Sequence, residues 1–284
     1  MTYKPELLTD ARCIVGEGPI WDNANGRLIM TDIQGKRMRT IRWSDGSIED
    51  RILKEQTGFF LLTASGEVLG GAESGIYRIS DGAFERVNKP FVLEGTRFND
   101  GKVGPDGRAY VGTFSRDSSA AFYRMDADGM MEKLFGGVGN SNGLDWSPDG
   151  RTLYYNDTPT KRTDAFDFCD GRLSHRREVF RYEGGNPDGM TIDTDGNLWT
   201  AVWGSGEVLH IDPRRGKVID KITLPVSQVA CCAFAGKDMK TLVITTAAHG
   251  VHLRDEPLAG AVFAVRTEAE GMLPNRMDLD GGSK

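Results

Sequence analysis

The sequence predicts an all-β fold: a six-bladed β-propeller of four-stranded antiparallel blades, its ring closed by the N-terminal strand. Three observations carry this. A strand-like phrase that opens on a turn residue recurs six times, as GRLIMTD from Gly26, GEVLGGA from Gly66, GRAYVGTF from Gly107, GRTLYYNDT from Gly150, GNLWTAVW from Gly196 and a weaker KTLVITT from Lys240. The markers Leu28, Val68, Ala109, Leu153, Leu198 and Leu242 return every 40–45 residues or so, roughly the period of one propeller blade. Six repeats in 284 residues leave roughly 47 per blade, enough for four strands of about 5–6 residues with turns and no remainder for a second domain. The expected unit is therefore one domain over 1–284.

Each blade follows from alternation and turn residues. Blade one reads GPIWD, RLIMTD, KRMRTIRW and SIEDRIL, four short period-two segments separated by Gly, Asp and Asn turns. With these named A to D from the axis outward, hairpin connectivity sends A and C one way and B and D the other. The D-to-A connections and the B-to-C hairpins therefore share one face. Blade two opens at TGFFLL, blade three at RFNDGK and blade four at NSNGLDW; blade five reads GMTID, NLWTAV, EVLHID and KVIDKITL. Blade six offers QVACCAFAG, TLVITT and AVFAVRT but no clear outer strand. PELLTD near the N-terminus supplies one, which removes an exposed edge.

Composition narrows the function classes. A net charge of −6 argues against nucleic acid or an anionic membrane as partner. No stretch has the length of a transmembrane helix, and MTYKPELLTD lacks the apolar core of a signal peptide, so a cytoplasmic location is expected. Cys13, Cys169, Cys231 and Cys232 show no metal spacing and read as buried reduced thiols. GGVGNSNG from Gly136 precedes no helical pattern, and no GxSxG elbow is present, which argues against nucleotide binding and a serine hydrolase.

Chemistry concentrates where the A strands begin. Counting back from the markers lands on Glu17, Gly58, Asn99, Asn142 and Asp188. Asx-Gly pairs such as Asn142-Gly143 are common turn formers, but here carboxylates and carboxamides share one register, at the end of the strand facing the axis. Such a ring supplies hard oxygen donors suited to Ca²⁺, Mg²⁺ or Mn²⁺, with Zn²⁺ also accepting carboxylates. Glu17 and Asp188 held about 4 Å apart would repel by about 4 kcal/mol at an effective dielectric near 20, a penalty that a cation converts to attraction. Strict alternation turns Asp100, beside Asn99, away from the channel as a structural group.

GEGPIWD, RFNDGKVGPDGR, SNGLDWSPDGRTLYY and PDGMTIDTDGNLW resemble the signature segments of the gluconolactonase/regucalcin family, the senescence marker proteins, in order from Glu17 to Trp199. The resemblance implies a six-bladed propeller with one divalent metal on its axis that hydrolyses sugar lactones. Its metal ligands fall on Glu17, Asn142 and Asp188, and its substrate-contacting residues on Arg97 and Asn99. Calcium is the expected ion, and a small sugar lactone the expected partner of a monomer or weak homo-oligomer. One departure is GTFSRDSSAA after strand B of blade three, shorter than the acidic loop of animal members and with Asp117 as its one acid. The other B-to-C loops that should roof the site carry Gln34, Glu73, Trp203 and His249; with Asp117 they map onto no known specificity, and each reads more simply as a surface-loop residue.

Lactone opening needs a Lewis acid at the carbonyl and a base for the attacking water. Asp188 is the candidate catalytic base, while Arg97 and Asn99 orient the sugar hydroxyls. Two alternatives stay open. The same ligands permit a non-catalytic Ca²⁺-binding or regulatory protein, and the scaffold permits a phosphotriesterase-type hydrolase with a wider, apolar pocket.

Overall fold

The computed structural model describes residues 3–80 and 83–279; positions 1–2, 81–82 and 280–284, with the ends of the 1–284 unit, lie outside the described residues. Each repeat folds into one antiparallel sheet in simple meander order, giving six four-stranded blades. The inner strands are Gly16–Asp22, Thr57–Leu62, Arg97–Val103, Ser141–Trp146, Asn186–Ile192 and Val229–Ala235. In the sixth blade, the outermost strand is Glu6–Thr9, which pairs antiparallel with Val262–Arg266 and places Leu7 opposite Phe263. The chain's beginning thus completes its last blade, as the edge argument expects.

Burial follows the repeat. The markers Leu28, Ala109, Leu153, Leu198 and Leu242 are wholly buried, and large aromatics wedge between neighbouring blades. Trp199 packs edge-on to Phe234, joining blades five and six, and Phe122 packs against Tyr155, joining blades three and four. Each such fully buried side chain contributes about 1.5–3 kcal/mol. The recurring glycines are a backbone requirement: Gly26, Gly66, Gly107, Gly150 and Gly196 have φ of 59°, 90°, 75°, 69° and 82°, in the left-handed region that the A-to-B turn demands.

One irregularity recurs in all six inner strands. The A–B register breaks between Glu17 and Ile20, Thr57 and Phe59, Phe98 and Asp100, Asn142 and Leu144, Pro187 and Met190, and Val229 and Cys231. Each break inserts one extra residue near the channel mouth. A bulge interrupts alternation and re-aims side chains, and repeated around a ring it turns them toward the axis. The channel's far end is crossed by the C-terminal segment: Thr194 N–H donates to Glu270 at 2.8 Å, and Met277 N–H to Leu62 at 2.8 Å, on opposite sides of the ring. Approach to the bulged positions is therefore from the B-to-C face.

Candidate metal centre at the channel mouth

Glu17, Asn142 and Asp188 come from blades one, four and five and converge at the bulges. All three are buried, with 8%, 3% and 7% of their surface exposed, so their polar groups must be satisfied by one another or by a ligand. Asp188 lies close enough to Glu17 and Asn142 for both side chains to act on its carboxyl. Burial, then the Glu17 carboxylate and then Asp100, push the Asp188 carboxyl well above its ordinary range, and Asn142 only partly offsets this. Glu17 is likewise raised by burial and by Asp100, although it accepts a bond from Gly18 N–H at 2.9 Å. Two buried carboxyls that must share a proton form a site short of positive charge.

The surroundings fix these groups. Asn142 Nδ2 donates to Thr158 Oγ1 at 3.0 Å, and Thr158 donates to Pro187 O at 2.8 Å, tying blade four to the strand that carries Asp188. Asn156 Nδ2 donates to Asp188 O at 3.0 Å. Glycine makes the convergence sterically possible. A Cβ on Gly143 would lie 2.4 Å from Asp188 O, and one on Gly189 would lie 2.1 Å from Cys231 Sγ.

Arg97 and Asn99 stand at the same mouth on blade three. Arg97 Nη1 donates to Asn99 Oδ1 at 2.6 Å and to Phe98 O at 3.0 Å, and the guanidinium lies 5.4 Å from the Phe114 ring centroid. Asn99 Nδ2 donates in turn to Ser141 O at 2.7 Å, so this side chain links Arg97 to blade four. Burial lowers the guanidinium to about 10, against the pull of Glu17, Glu73 and Asp188. Arg97 is thus the cation that faces both axial carboxylates. Gly58 and Ala230 occupy the bulges of blades two and six and add no donor.

Two expectations, on Asp100 and Cys169, need correction, while Asp117 is the surface-loop residue the sequence suggests. Asp100 faces the channel: it lines a 250 Å³ cavity just below the mouth and acts electrostatically on Glu17 and Asp188. The bulge between Phe98 and Asp100 breaks the alternation that would have turned it away. Asp117 does not serve the mouth; its carboxylate accepts from Ser115 Oγ and from Ser119 N–H within its own exposed turn. Cys169 is exposed, whereas Cys13, Cys231 and Cys232 are buried; all four are free. Cys231 lies beside Glu17 and helps hold its carboxyl charged, a neighbour the apolar run QVACCAF did not suggest.

The sequence reading also missed Asp32 and Asp157. They end strand B of blades one and four, four residues after Leu28 and Leu153, a shared register that marks them. Asp32 accepts from Ile14 N–H at 3.2 Å and Val15 N–H at 3.0 Å; Asp157 accepts from Gly139 N–H at 3.2 Å and Asn140 N–H at 3.0 Å. Each clamps the segment leading to Glu17 or Asn142. Of the remaining roof residues, His249 Nδ1 and Gln34 Oε1 meet at 3.2 Å across blades six and one, and Trp203 bridges to Gln228.

Among the described residues no cluster of three or more His, Cys, Asp or Glu side chains has metal-binding spacing. The axial set has two acids and one amide, so a cation here would rely on a carboxamide oxygen. The family described as "SMP-30/Gluconolactonase/LRE-like region" matches residues 15–248. The chain belongs to that family. Within it, regucalcin of Danio rerio is 38% identical over 93% of this chain and 94% of its own length. The Bacillus subtilis protein named "Putative sugar lactone lactonase YvrE" is 36% identical over 94% of this chain and 96% of its own. A solved calcium-binding protein, regucalcin from Agrobacterium tumefaciens, shares the fold with a TM-score of 0.91 at 23% identity, covering 97% of this chain and 98% of that one. The SMP-30/gluconolactonase/LRE-like family thus holds members named for lactonase activity beside members named for calcium.

Proposed function

We propose that the channel mouth binds one divalent cation through Glu17, Asn142 and Asp188, and that Ca²⁺ is the ion this all-oxygen set suits best, with Zn²⁺, Mg²⁺ and Mn²⁺ as weaker competitors. The observation that carries the reading is the contact between two buried carboxyls, both raised by burial and by neighbouring acids. That is the electrostatic signature of a cavity built for positive charge. The regucalcins among its relatives, one solved as a calcium-binding protein, support the same conclusion.

A second reading, hydrolysis of a sugar lactone, is favoured by Arg97. A divalent cation bound at the mouth would supply the Lewis acidity that ester opening needs. Asp188, a buried carboxylate at the mouth, is the group suited to accept a proton from water. The nearby Asn142 side chain partly stabilises its charged form. Arg97, fixed by Asn99 and Phe98, keeps its Nε and Nη2 edge for ligand hydroxyls. Such donors fit a polyhydroxylated ring better than the apolar leaving group of a phosphotriester.

Calorimetry with each cation, followed by a panel of five- and six-carbon aldonolactones at cation saturation, tests both readings. Tight binding of one ion with turnover of at least one lactone is expected. Binding without turnover above spontaneous hydrolysis would leave a cation-binding protein and overturn the hydrolase reading. No binding would overturn both.

A further inference from the structure

A sugar hydroxyl both donates and accepts, so an arginine satisfies only half of it and an acceptor, of which a carboxylate is the strongest, completes the pair. The roof offers few free acceptors. Asp117 is consumed by Ser115 and Ser119, whose bonds pull its carboxyl down to about 2. Gln34 is bonded to His249. Glu55 is taken by Ser74, which donates from its N–H at 2.9 Å and from Oγ at 2.7 Å.

Glu73 differs. It stands on the B-to-C hairpin of blade two, half-buried, and its described hydrogen bond is a long one from Gln56 N–H at 3.4 Å to Oε2. Gln56 immediately precedes the inner strand Thr57–Leu62, so that contact directs the carboxylate inward, toward the mouth. The hairpin is rigid. Ala72 N–H donates to Gly75 O at 2.8 Å, Ser74 Oγ meets Tyr77 Oη at 2.6 Å, and a Cβ on Gly75 would lie 2.8 Å from Arg86 Nε. Arg97 stands across from it on the next blade. Glu73 acts on Arg97 through charge, and no hydrogen bond between them is among those described; blade two packs tightly against this end of blade three, where a Cβ on Gly58 would lie 2.3 Å from Asn99 O. Both bonds described for Arg97 leave from Nη1, which leaves donors on the guanidinium to match the acceptor pair of Glu73.

We propose that Glu73 and Arg97 form a split hydroxyl-reading pair, in which a ring hydroxyl of a polyhydroxylated ligand accepts from the Arg97 guanidinium and donates to the Glu73 carboxylate. Glu73 is a substrate-positioning residue in this arrangement, supplying from blade two the acid that the short loop of blade three does not present. The pair selects for hydroxyl-bearing rings over plain lactones, because removing the hydroxyl leaves both charged partners facing an empty gap. The inference rests on the lactone reading of the mouth.

The test uses a 1,5-anhydroalditol, a cyclic polyol that keeps the six-membered ring and its hydroxyls but has no carbonyl, titrated calorimetrically into the full chain at saturating Ca²⁺. Wild type is expected to bind it, and Glu73→Ala to weaken binding about tenfold or more, in keeping with a lost charge-assisted hydrogen bond. Glu73→Gln, which keeps the shape if the alanine variant folds poorly, should weaken it by a smaller factor. Calcium affinity should be unchanged in both. A matched series of deoxy analogues should contain one that binds wild type and Glu73→Ala equally, identifying the hydroxyl read. Equal polyol affinity in wild type and both variants would overturn the role of Glu73 while leaving the sugar site standing. Calcium binding by wild type without any polyol binding would overturn the sugar reading and the pair together.

Discussion

Replacing Glu17 with glutamine should stabilise the cation-free protein and abolish its stabilisation by calcium, opposite effects of one substitution. Burial and Asp100 push the Glu17 carboxyl from 4.5 up to about 8. At pH 7 the unfolded chain carries this group ionised, and the folded chain must protonate it or hold it charged beside Asp188. The gap between its ordinary value and neutrality corresponds to about 3 kcal/mol of lost stability. Glutamine carries neither penalty, so the variant in chelator should melt roughly 6–12 °C higher, at about 2–4 °C per kcal/mol for a chain of this general size. In millimolar calcium the order should reverse. Wild type gains stability by mass action in proportion to the logarithm of ligand over Kd, whereas the variant has lost one of two negative ligands. Scanning calorimetry of both proteins, with chelator and with calcium, reads all four values. A cation-free variant no more stable than wild type, or one that keeps the full calcium increment, would refute the claim that the axial carboxylates are held together for a cation.

Three further outcomes follow. Because the folded protein holds protons on Glu17 more tightly than the unfolded one, stability from this group in the cation-free protein is full below about pH 4.5 and declines as pH rises toward about 8; calcium, competing with those protons, should bind more tightly across the same window, and a titration series with a flat pH profile would contradict this. At cation saturation Asp188→Asn should lower kcat on a turned-over lactone by about 10²–10⁴, the usual worth of a general base, while Asn99→Ala, which frees Arg97 from its anchor, should mainly raise KM; near-normal kcat in Asp188→Asn would move the base elsewhere. Deleting the first ten residues removes the outer strand of blade six and the edge-on contact of Tyr3 with Trp199, and should lower the melting temperature of the whole ring, with a truncated chain as stable as its parent counting against that closure.

The fold was legible because its rule is periodic: a turn glycine with positive φ and an apolar marker recur in nearly every blade, and no tertiary detail is needed to count them. The ring of Glu17, Asn99, Asn142 and Asp188 was legible for the same reason. Asp100 was not, because period-two alternation assumes an unbroken ladder, and an inserted residue between Phe98 and Asp100 is invisible without knowing how strands A and B register. Cys231 escaped likewise, lying just past the bulge of blade six in an otherwise apolar run. Asp117 remains the surface-loop residue the sequence suggests for a local reason: two serines flank it, and a short turn satisfies its carboxylate. Glu73 gains meaning only from its neighbours on blades two and three, a relation no single repeat encodes.

The central claim is tested most directly by a crystal structure of the protein grown with calcium and checked by anomalous scattering. One ion per chain on the axis, within about 2.3–2.6 Å of oxygens from Glu17, Asn142 and Asp188, is the predicted result. An empty mouth at saturating calcium, or an ion bound by other residues, would contradict it.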